Sequence, residues 1–167
     1  MLLRFSALLS LVSFGAVFGF FYAWVCSTMW GLDQIDPNVA ITAMQGMNAS
    51  VRNEVFAVTF FGTPFYAALT AFLAWRAGYR DVAWIFAGAG GLYIAGGMVL
   101  TMSQNVPMNE ALALVPHTVD AETAAQIWND YSPRWQVFNQ IRTVLCAGCL
   151  ALAGWGLLRL GADVKQA

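Results

Sequence analysis

Four long apolar blocks constrain this chain more than any other feature, covering about 5–30, 55–75, 82–102 and 135–160. Each block reaches the roughly 20 residues that a helix needs to cross a hydrocarbon core. A membrane barrel would instead show short segments of alternating hydrophobicity, and these blocks do not alternate. We therefore predict an all-α polytopic membrane protein, a four-transmembrane-helix bundle forming a single membrane domain over 1–167.

The charged residues predict the orientation of these helices. Only 10% of the residues are charged and the net charge is −1, which gives no electrostatic case for a nucleic acid partner. Basic residues flank the two chain ends and the turn between the second and third blocks: Arg4, Arg76, Arg80, Arg159 and Lys165, the last of which lies outside the residues that the structure describes. Since basic residues stay on the cytoplasmic side, we predict that both termini are cytoplasmic, in a bacterial inner membrane. The connections at about 31–54 and 103–134 then face outward.

Short amphipathic helices are predicted in both outward connections. Asp36 followed by Pro37 is typical of a helix start, with a capping carboxylate and a proline in the first turn. The segment 105–109 carries Pro107, which predicts a break in the third membrane helix and a short helix after it. Ser132 followed by Pro133 predicts the start of the fourth membrane helix.

Arg142 is the strongest candidate for a functional residue, because ionisable groups inside a membrane are costly. Trp135, Asn139 and Arg142 fall at i, i+4 and i+7 and share one helix face, which we predict to face the bundle interior. Glu54 and Glu110 are the predicted ion-pair partners of Arg142. The structural alternative is a buried polar network that only fixes helix packing.

Further polar and aromatic residues are predicted to complete a pocket in the outer half of the bundle. The predicted binding residues are Asn105, Trp128, Tyr131, Trp135, Gln45, Asn48 and Glu54, and the predicted reactive set is Arg142, Asn139, Asn109, Glu110 and His117. His117 is the only histidine and is a candidate general base near neutral pH. A solvated loop residue is the alternative.

Metal and redox sites have weaker support. Outward methionines, Met44, Met47 and Met108 among them, are soft ligands suited to copper, although methionine also fills irregular cores. Cys146 and Cys149 form a C-x-x-C near mid-membrane, where small packing residues are the stronger interpretation. The sequence assigns no cofactor, and it leaves copper, haem and quinone open.

At these residues the chain resembles the anthrone oxygenase-like integral membrane proteins, many of whose bacterial members have no assigned function. The resemblance spans about 5–160 and rests on four elements. They are Met44-Gln45-x-Met47-Asn48, Phe61-Gly62-x-Pro64, Asn105-Val106-Pro107-Met108-Asn109, and Trp128 followed by Tyr131-x-x-x-Trp135-x-x-x-Asn139-x-x-Arg142-Thr143.

The resemblance implies four helices and the oxidation of an anthrone or another aromatic, quinone-like molecule with O₂ as co-substrate. Residue chemistry then gives Arg142, Asn139 and Asn109 as stabilisers of a developing oxyanion, with Glu110, Glu54 or His117 as the base. The expected partners are membrane lipids and a hydrophobic small molecule, and a homo-oligomer is plausible. The alternatives are a non-catalytic binding or assembly subunit and a copper-handling membrane protein.

Overall fold

The computed structural model describes residues 1–163 and contains five helices. They are α1 Leu2–Leu32, α2 Pro37–Ser50, α3 Glu54–Arg76, α4 Arg80–Ala113 and α5 Ala121–Asp163. No strand occurs within these residues. The four long helices, α1, α3, α4 and α5, are long and apolar enough to cross a membrane. The predicted all-α fold with four membrane helices is therefore confirmed.

The four long helices form a ring in which each packs on two neighbours. Helix α1 contacts α3 and α5, and α4 contacts the same two helices from the opposite side. Helix α2 packs on α5 and on the last turns of α4, at the end of the bundle away from the chain termini. We call this end the pocket end and the other the terminal end.

A continuous apolar core fills the middle of the ring. Its largest buried side chains are Phe14, Phe21, Phe60, Phe86 and Tyr93. Cys146 and Cys149 are buried in the same core, as the packing interpretation of the C-x-x-C requires.

At the terminal end the short connection between α3 and α4 turns through Gly78, whose φ is +88°. That backbone conformation favours glycine, since a side chain there would be strained. Close by, Arg159 of α5 pairs with Asp81 of α4 at 2.8 Å, which ties two neighbouring helices together where they leave the core.

The first outward connection matches its prediction. The Asp36 carboxylate accepts hydrogen bonds from the backbone N–H groups of Asn38 and Val39, and Pro37 occupies the first turn. The polar face of α2 then holds the 114–120 connection. Asn38 exchanges two hydrogen bonds with the backbone of Val119, and the Thr42 hydroxyl donates to the carbonyl of His117.

The predicted break at 105–109 is wrong, because α4 runs through Pro107 to Ala113. The turns at Ile94–Val99 and Thr101–Asn105 are π-helical, wider than an α-turn. Proline lacks an N–H and its ring clashes with the carbonyl four residues back. The wide turn just before Pro107 accommodates the missing N–H and the ring, so the helix changes its hydrogen-bonding register there and continues.

The predicted start at Ser132-Pro133 is also wrong, because α5 begins at Ala121 and continues through Pro133. Asp120 caps the helix by accepting from the N–H and hydroxyl of Thr123, and the hydroxyl's hydrogen bond in particular holds the pKa of Asp120 below its usual range. Ser132 does not cap; its hydroxyl donates to Asp33 at the end of α1. The second connection therefore has no separate helix and shortens to 114–120.

Candidate functional site

A cavity of about 580 Å³ opens at the pocket end, between all five helices. Its lining residues are Phe20, Phe21 and Trp24 of α1; Met47, Asn48, Val51, Arg52 and Asn53 of α2 and the turn after it; Glu54, Phe56, Ala57, Phe60 and Phe61 of α3; Thr101, Met102, Val106, Asn109 and Glu110 of α4; and Trp135 and Arg142 of α5. We call this cavity the pocket. Most of its surface is aromatic or aliphatic, and a small number of polar groups converge on it, as in typical small-molecule sites.

Arg142 lies at the inner wall of the pocket and is 3% exposed. Its Nε donates to Asn139 Oδ1 at 3.0 Å and its Nη1 donates to Thr101 Oγ1 at 3.1 Å. The guanidinium carbon lies 4.2 Å from the centre of the Phe21 ring and 5.0 Å from that of Trp135. Two aromatic faces and two oxygen acceptors thus hold the cation in one orientation.

The predicted ion pair of Arg142 with Glu54 or Glu110 is wrong. Within residues 1–163 no carboxylate lies within 4.0 Å of its guanidinium. Glu110 instead pairs with Arg52 at 3.5 Å, with both side chains 61% exposed, and Glu54 is exposed at the start of α3. Both carboxylates line the outer part of the pocket, because they stand where α3 begins and where α4 approaches its end.

Asn139 positions Arg142 and does not line the pocket. It is buried, its Oδ1 accepts from Arg142 Nε, and its Nδ2 donates to the carbonyl of Phe21 at 3.1 Å. Both ends of this carboxamide are therefore engaged by protein. The structure places Asn139 behind Arg142 and gives it no contact with the cavity.

Asn109 has the opposite arrangement. Its Oδ1 accepts from the Trp135 indole Nε1 and from the Tyr131 hydroxyl, each at 2.8 Å. An indole N–H can only donate, so it determines which end of the carboxamide faces α5. The Nδ2 group then points away from those partners and makes no hydrogen bond within the described chain. Since Asn109 lines the pocket, this amide is available to a ligand.

Asn48 also lines the cavity, but its Nδ2 atom is buried beside the Tyr131 hydroxyl and is not exposed to the pocket. Asn105 is fully buried between α4 and α5, where its Nδ2 donates to the carbonyl of Trp135 at 3.3 Å. Unlike Asn48, Asn105 does not line the cavity, so its contact is with the helix that carries Arg142.

Four other predicted site residues lie outside the pocket. Gln45 donates from Nε2 to the carbonyls of Leu112 and Val115, both at 2.8 Å, and so caps the end of α4. Trp128 and Tyr131 pack in the apolar cluster at the pocket end. His117 is exposed on the 114–120 connection, away from the residues that line the cavity.

Sequence reasoning missed three residues that shape the site. Thr101 and Phe21 hold the guanidinium of Arg142, and they lie on helices whose apolar blocks carry no local sign of that contact. Asp33 accepts hydrogen bonds from Trp128, Ser132 and Gln136, which joins the end of α1 to α5. The spacing of those three donors at i, i+4 and i+8 was a readable signal for one acceptor on a neighbouring helix.

The methionines named for copper lie in or beside the apolar cluster at the pocket end, and Met47 also lines the pocket. Met44 is fully buried in the apolar cluster at the pocket end, and Met47 and Met108 pack against that cluster. Over residues 1–163 no group of three His, Cys, Asp or Glu side chains could hold a metal ion. The full burial of Met44 matches the core-filling interpretation of methionine, and the copper alternative stays a prediction.

The part of the chain that carries most of these residues is similar to a known protein family. A sequence profile described as anthrone oxygenase matches residues 54–152, which is more than half of the 167-residue chain. The chain belongs to the anthrone oxygenase family. No curated protein matches it significantly, and no solved structure does.

The anthrone oxygenase match covers α3, α4 and most of α5. It therefore contains Arg142, Asn139, Asn109 and Thr101, which form and orient the inner wall of the pocket. The residues that α1 and α2 contribute lie before the match, including Asn48 and the predicted motif at 44–48.

Proposed function

We propose that the pocket binds an aromatic molecule with carbonyl or phenolic oxygens and promotes its oxidation by O₂. One observation carries the proposal: the Arg142 guanidinium is buried at the inner wall with no carboxylate partner among residues 1–163. Burying an unpaired cation inside a membrane protein costs free energy. The negative charge of a bound oxyanion would offset this cost.

The donors in the pocket complement such a ligand. Two of the five guanidinium N–H groups of Arg142 are used by protein acceptors, and the Nδ2 amide of Asn109 adds a further donor. Trp24, Trp135 and other aromatic side chains supply flat apolar walls. A volume of about 580 Å³ is in the range of about 300–1,000 Å³ that holds small ligands.

For an anthrone the proposed reaction balances without a further reductant. A base removes a proton from the ring methylene, and the electron pair delocalises onto the ketone oxygen of the opposite ring carbon as an oxyanion. The carbanion carbon forms a C–O bond with O₂, and protonation gives a hydroperoxide. Loss of the second methylene proton with cleavage of the O–O bond releases water and leaves a carbonyl. The anthrone is thereby oxidised to an anthraquinone. One atom of O₂ becomes the new carbonyl oxygen, and the other leaves as water with the two protons lost from the methylene.

In this proposal Arg142 and Asn109 stabilise the oxyanion, because fixed donors in a site that excludes water act most strongly where charge develops. The proton acceptor is one of the two carboxylates at the outer part of the pocket, Glu54 or Glu110. His117 is set aside as the base, since it does not line the cavity.

The test is turnover of a dihydroxyanthrone by the purified full-length protein, followed by O₂ consumption and anthraquinone absorbance. We expect Arg142→Gln to lower kcat/KM at least a hundredfold, with helical content and thermal unfolding retained. Arg134→Gln is the matched control, since that arginine is exposed on the same helix and lines neither the pocket nor any neighbouring cavity. Full turnover by a folded Arg142→Gln protein would contradict the oxyanion role.

A binding protein without turnover is the second candidate, favoured by the absence, among residues 1–163, of a carboxylate within 4.0 Å of the Arg142 guanidinium. The two functions separate in one experiment. Binding of the product-like dihydroxyanthraquinone that depends on Arg142, with no O₂ consumption above a heat-treated sample, supports binding alone. Loss of O₂ consumption in either Glu54→Gln or Glu110→Gln supports the oxygenase.

We propose that the protein lies in a bacterial inner membrane with both termini cytoplasmic. The basic residues Arg4, Arg76, Arg80 and Arg159 support this orientation, since they all belong to the terminal end. The pocket end then faces outward.

A further inference from the structure

A second cavity of about 600 Å³ lies beside the pocket, in the seam between α1 and α3. We call it the side chamber. Ala16 and Val17 form its α1 wall, and Val55 and Thr59 form its α3 wall. The two cavities share six lining residues, Phe20, Trp24, Met47, Val51, Asn53 and Phe56, and are therefore adjacent along this wall.

The side chamber offers a ligand almost no polar group. The Thr59 hydroxyl donates to a carbonyl one turn back in its own helix, and the Ser50 hydroxyl donates to the carbonyl of Met47. Asn53 uses both ends of its carboxamide on neighbouring backbone groups. Apart from the Trp24 indole, which the pocket shares, the polar side chains that line it are engaged, and none is charged.

The pocket differs from the side chamber in its charged side chains. Arg52, Glu54, Glu110 and Arg142 line it, together with the free Nδ2 amide of Asn109. A single ligand that occupies both cavities must therefore be amphiphilic, with its oxygen-bearing part in the pocket.

We propose that the ligand carries an apolar alkyl or isoprenoid tail and that the side chamber holds this tail. The inference rests on the proposed function, since it assigns the aromatic head to the pocket. The Phe20 and Phe56 rings, 4.8 Å apart between centroids, form the shared wall together with the flexible side chain of Met47. Ala16 is exposed on the outer face of the bundle, so the side chamber opens toward lipid and admits a tail directly from the bilayer.

The test compares a hydroxynaphthoquinone with the same compound carrying a decyl chain. Both are titrated calorimetrically into the full-length protein in detergent. Ala16→Phe and Thr59→Phe fill the side chamber from opposite walls, and Val58→Phe is the matched control. Val58 is 62% exposed, adjoins Thr59 in sequence and lines neither cavity. Each variant is compared with the unmodified protein, which cancels the partition of the decyl chain into micelles.

We expect both filling variants to weaken binding of the decyl compound at least tenfold and to change binding of the tailless compound less than twofold. Val58→Phe should change neither. Two filling variants on different helices keep the test decisive if one of them does not fold.

Equal losses for the two compounds, or no loss for either, would overturn the tail site. If the tailless compound binds in an Arg142-dependent way while the filling variants leave the decyl compound unaffected, the tail site fails and the proposed function stands. If neither compound binds the unmodified protein, both proposals fail together. Native mass spectrometry tests whether a phospholipid occupies the side chamber instead. A bound phospholipid that is lost in the filling variants, and that the decyl compound does not displace, would also overturn the tail site.

Discussion

The chemistry of Arg142 depends on how its neighbours orient it. Asn139 and Thr101 accept from two of its nitrogens, and Phe21 and Trp135 flank its plane. Planar, multidentate contacts of this kind are a property of guanidinium and are not reproduced by a point charge. The same contacts leave the other donors on the pocket side.

Replacing Arg142 by lysine keeps the charge and removes this geometry. We expect Arg142→Lys to fold but to bind dihydroxyanthraquinone at least tenfold more weakly than the unmodified protein, because an ammonium cannot reach both acceptors and stay between the rings. Fluorescence titration in detergent measures the affinity. An affinity equal to that of the unmodified protein would show that charge alone is sufficient.

Two substitutions separate the structural and ligand-binding ends of Asn109. Asn109→Asp keeps the acceptor for Trp135 and Tyr131 but loses the Nδ2 donor, so we expect a normal unfolding temperature and at least tenfold weaker binding of the same probe. Asn109→Leu leaves both buried donors unpaired, at a cost of about 1–3 kcal/mol each in the free energy of unfolding. Thermal unfolding distinguishes the two variants. Unchanged binding in Asn109→Asp would remove this amide from the site.

At the scale of elements, the pocket depends on departures from regular helix. The π-helical turns at Trp24–Thr28 and Thr101–Asn105 carry Trp24 and Thr101, two of the residues that line the cavity. Such turns are frequent at functional sites because they redirect the side chains that follow. Helix α2 closes this end of the bundle and restrains the 114–120 connection through Asn38, Thr42 and Gln45.

The restraint of that connection is testable at Asn38. Asn38→Leu loses both hydrogen bonds to the Val119 backbone, whereas Asn38→Asp keeps the acceptor for its N–H. We expect amide exchange in the 114–120 segment to accelerate at least tenfold in the leucine variant and much less in the aspartate variant, because an opened N–H exchanges freely. Hydrogen exchange followed by mass spectrometry measures the exchange rate of this segment in the three proteins. Equal protection in all three proteins would show that packing alone holds the connection.

At the scale of the whole molecule, an even number of spanning helices places both chain ends on one side and the pocket end on the other. In the proposed orientation the pocket opens outward, and the side chamber opens into the adjacent half of the bilayer. A hydrophobic ligand would reach both from lipid, since neither cavity extends to the terminal end.

Cysteine labelling tests this orientation. With Cys26, Cys146 and Cys149 replaced by serine or alanine, single cysteines are introduced as His117→Cys at the pocket end and Ala77→Cys at the terminal end, both at exposed positions. We expect an impermeant maleimide to label intact cells at position 117 and to label position 77 only after permeabilisation. The reverse pattern would place the termini outside and overturn the proposed orientation.

The sequence alone determined the number of spanning helices, the amphipathic helix α2 and the inward face that carries Trp135, Asn139 and Arg142. Local composition and period are sufficient for these features, because lipid requires every span to be an apolar, internally hydrogen-bonded helix. The same local rules gave wrong boundaries at Pro107 and Pro133, where neighbouring helices stabilise a helix that proline would end in isolation.

Only the tertiary structure decided the partners of the polar residues. Whether Arg142 meets Glu110 or Thr101 depends on helix rotation and on π-helical turns that no local pattern predicts. The same is true of Asn139 and Asn109, which have equivalent side chains but differ in role. Asn139 hydrogen-bonds to other protein groups through both ends of its carboxamide, whereas Asn109 leaves its Nδ2 donor to the pocket. Sequence names the groups that a membrane protein must satisfy, and packing determines which of them remain free for a ligand.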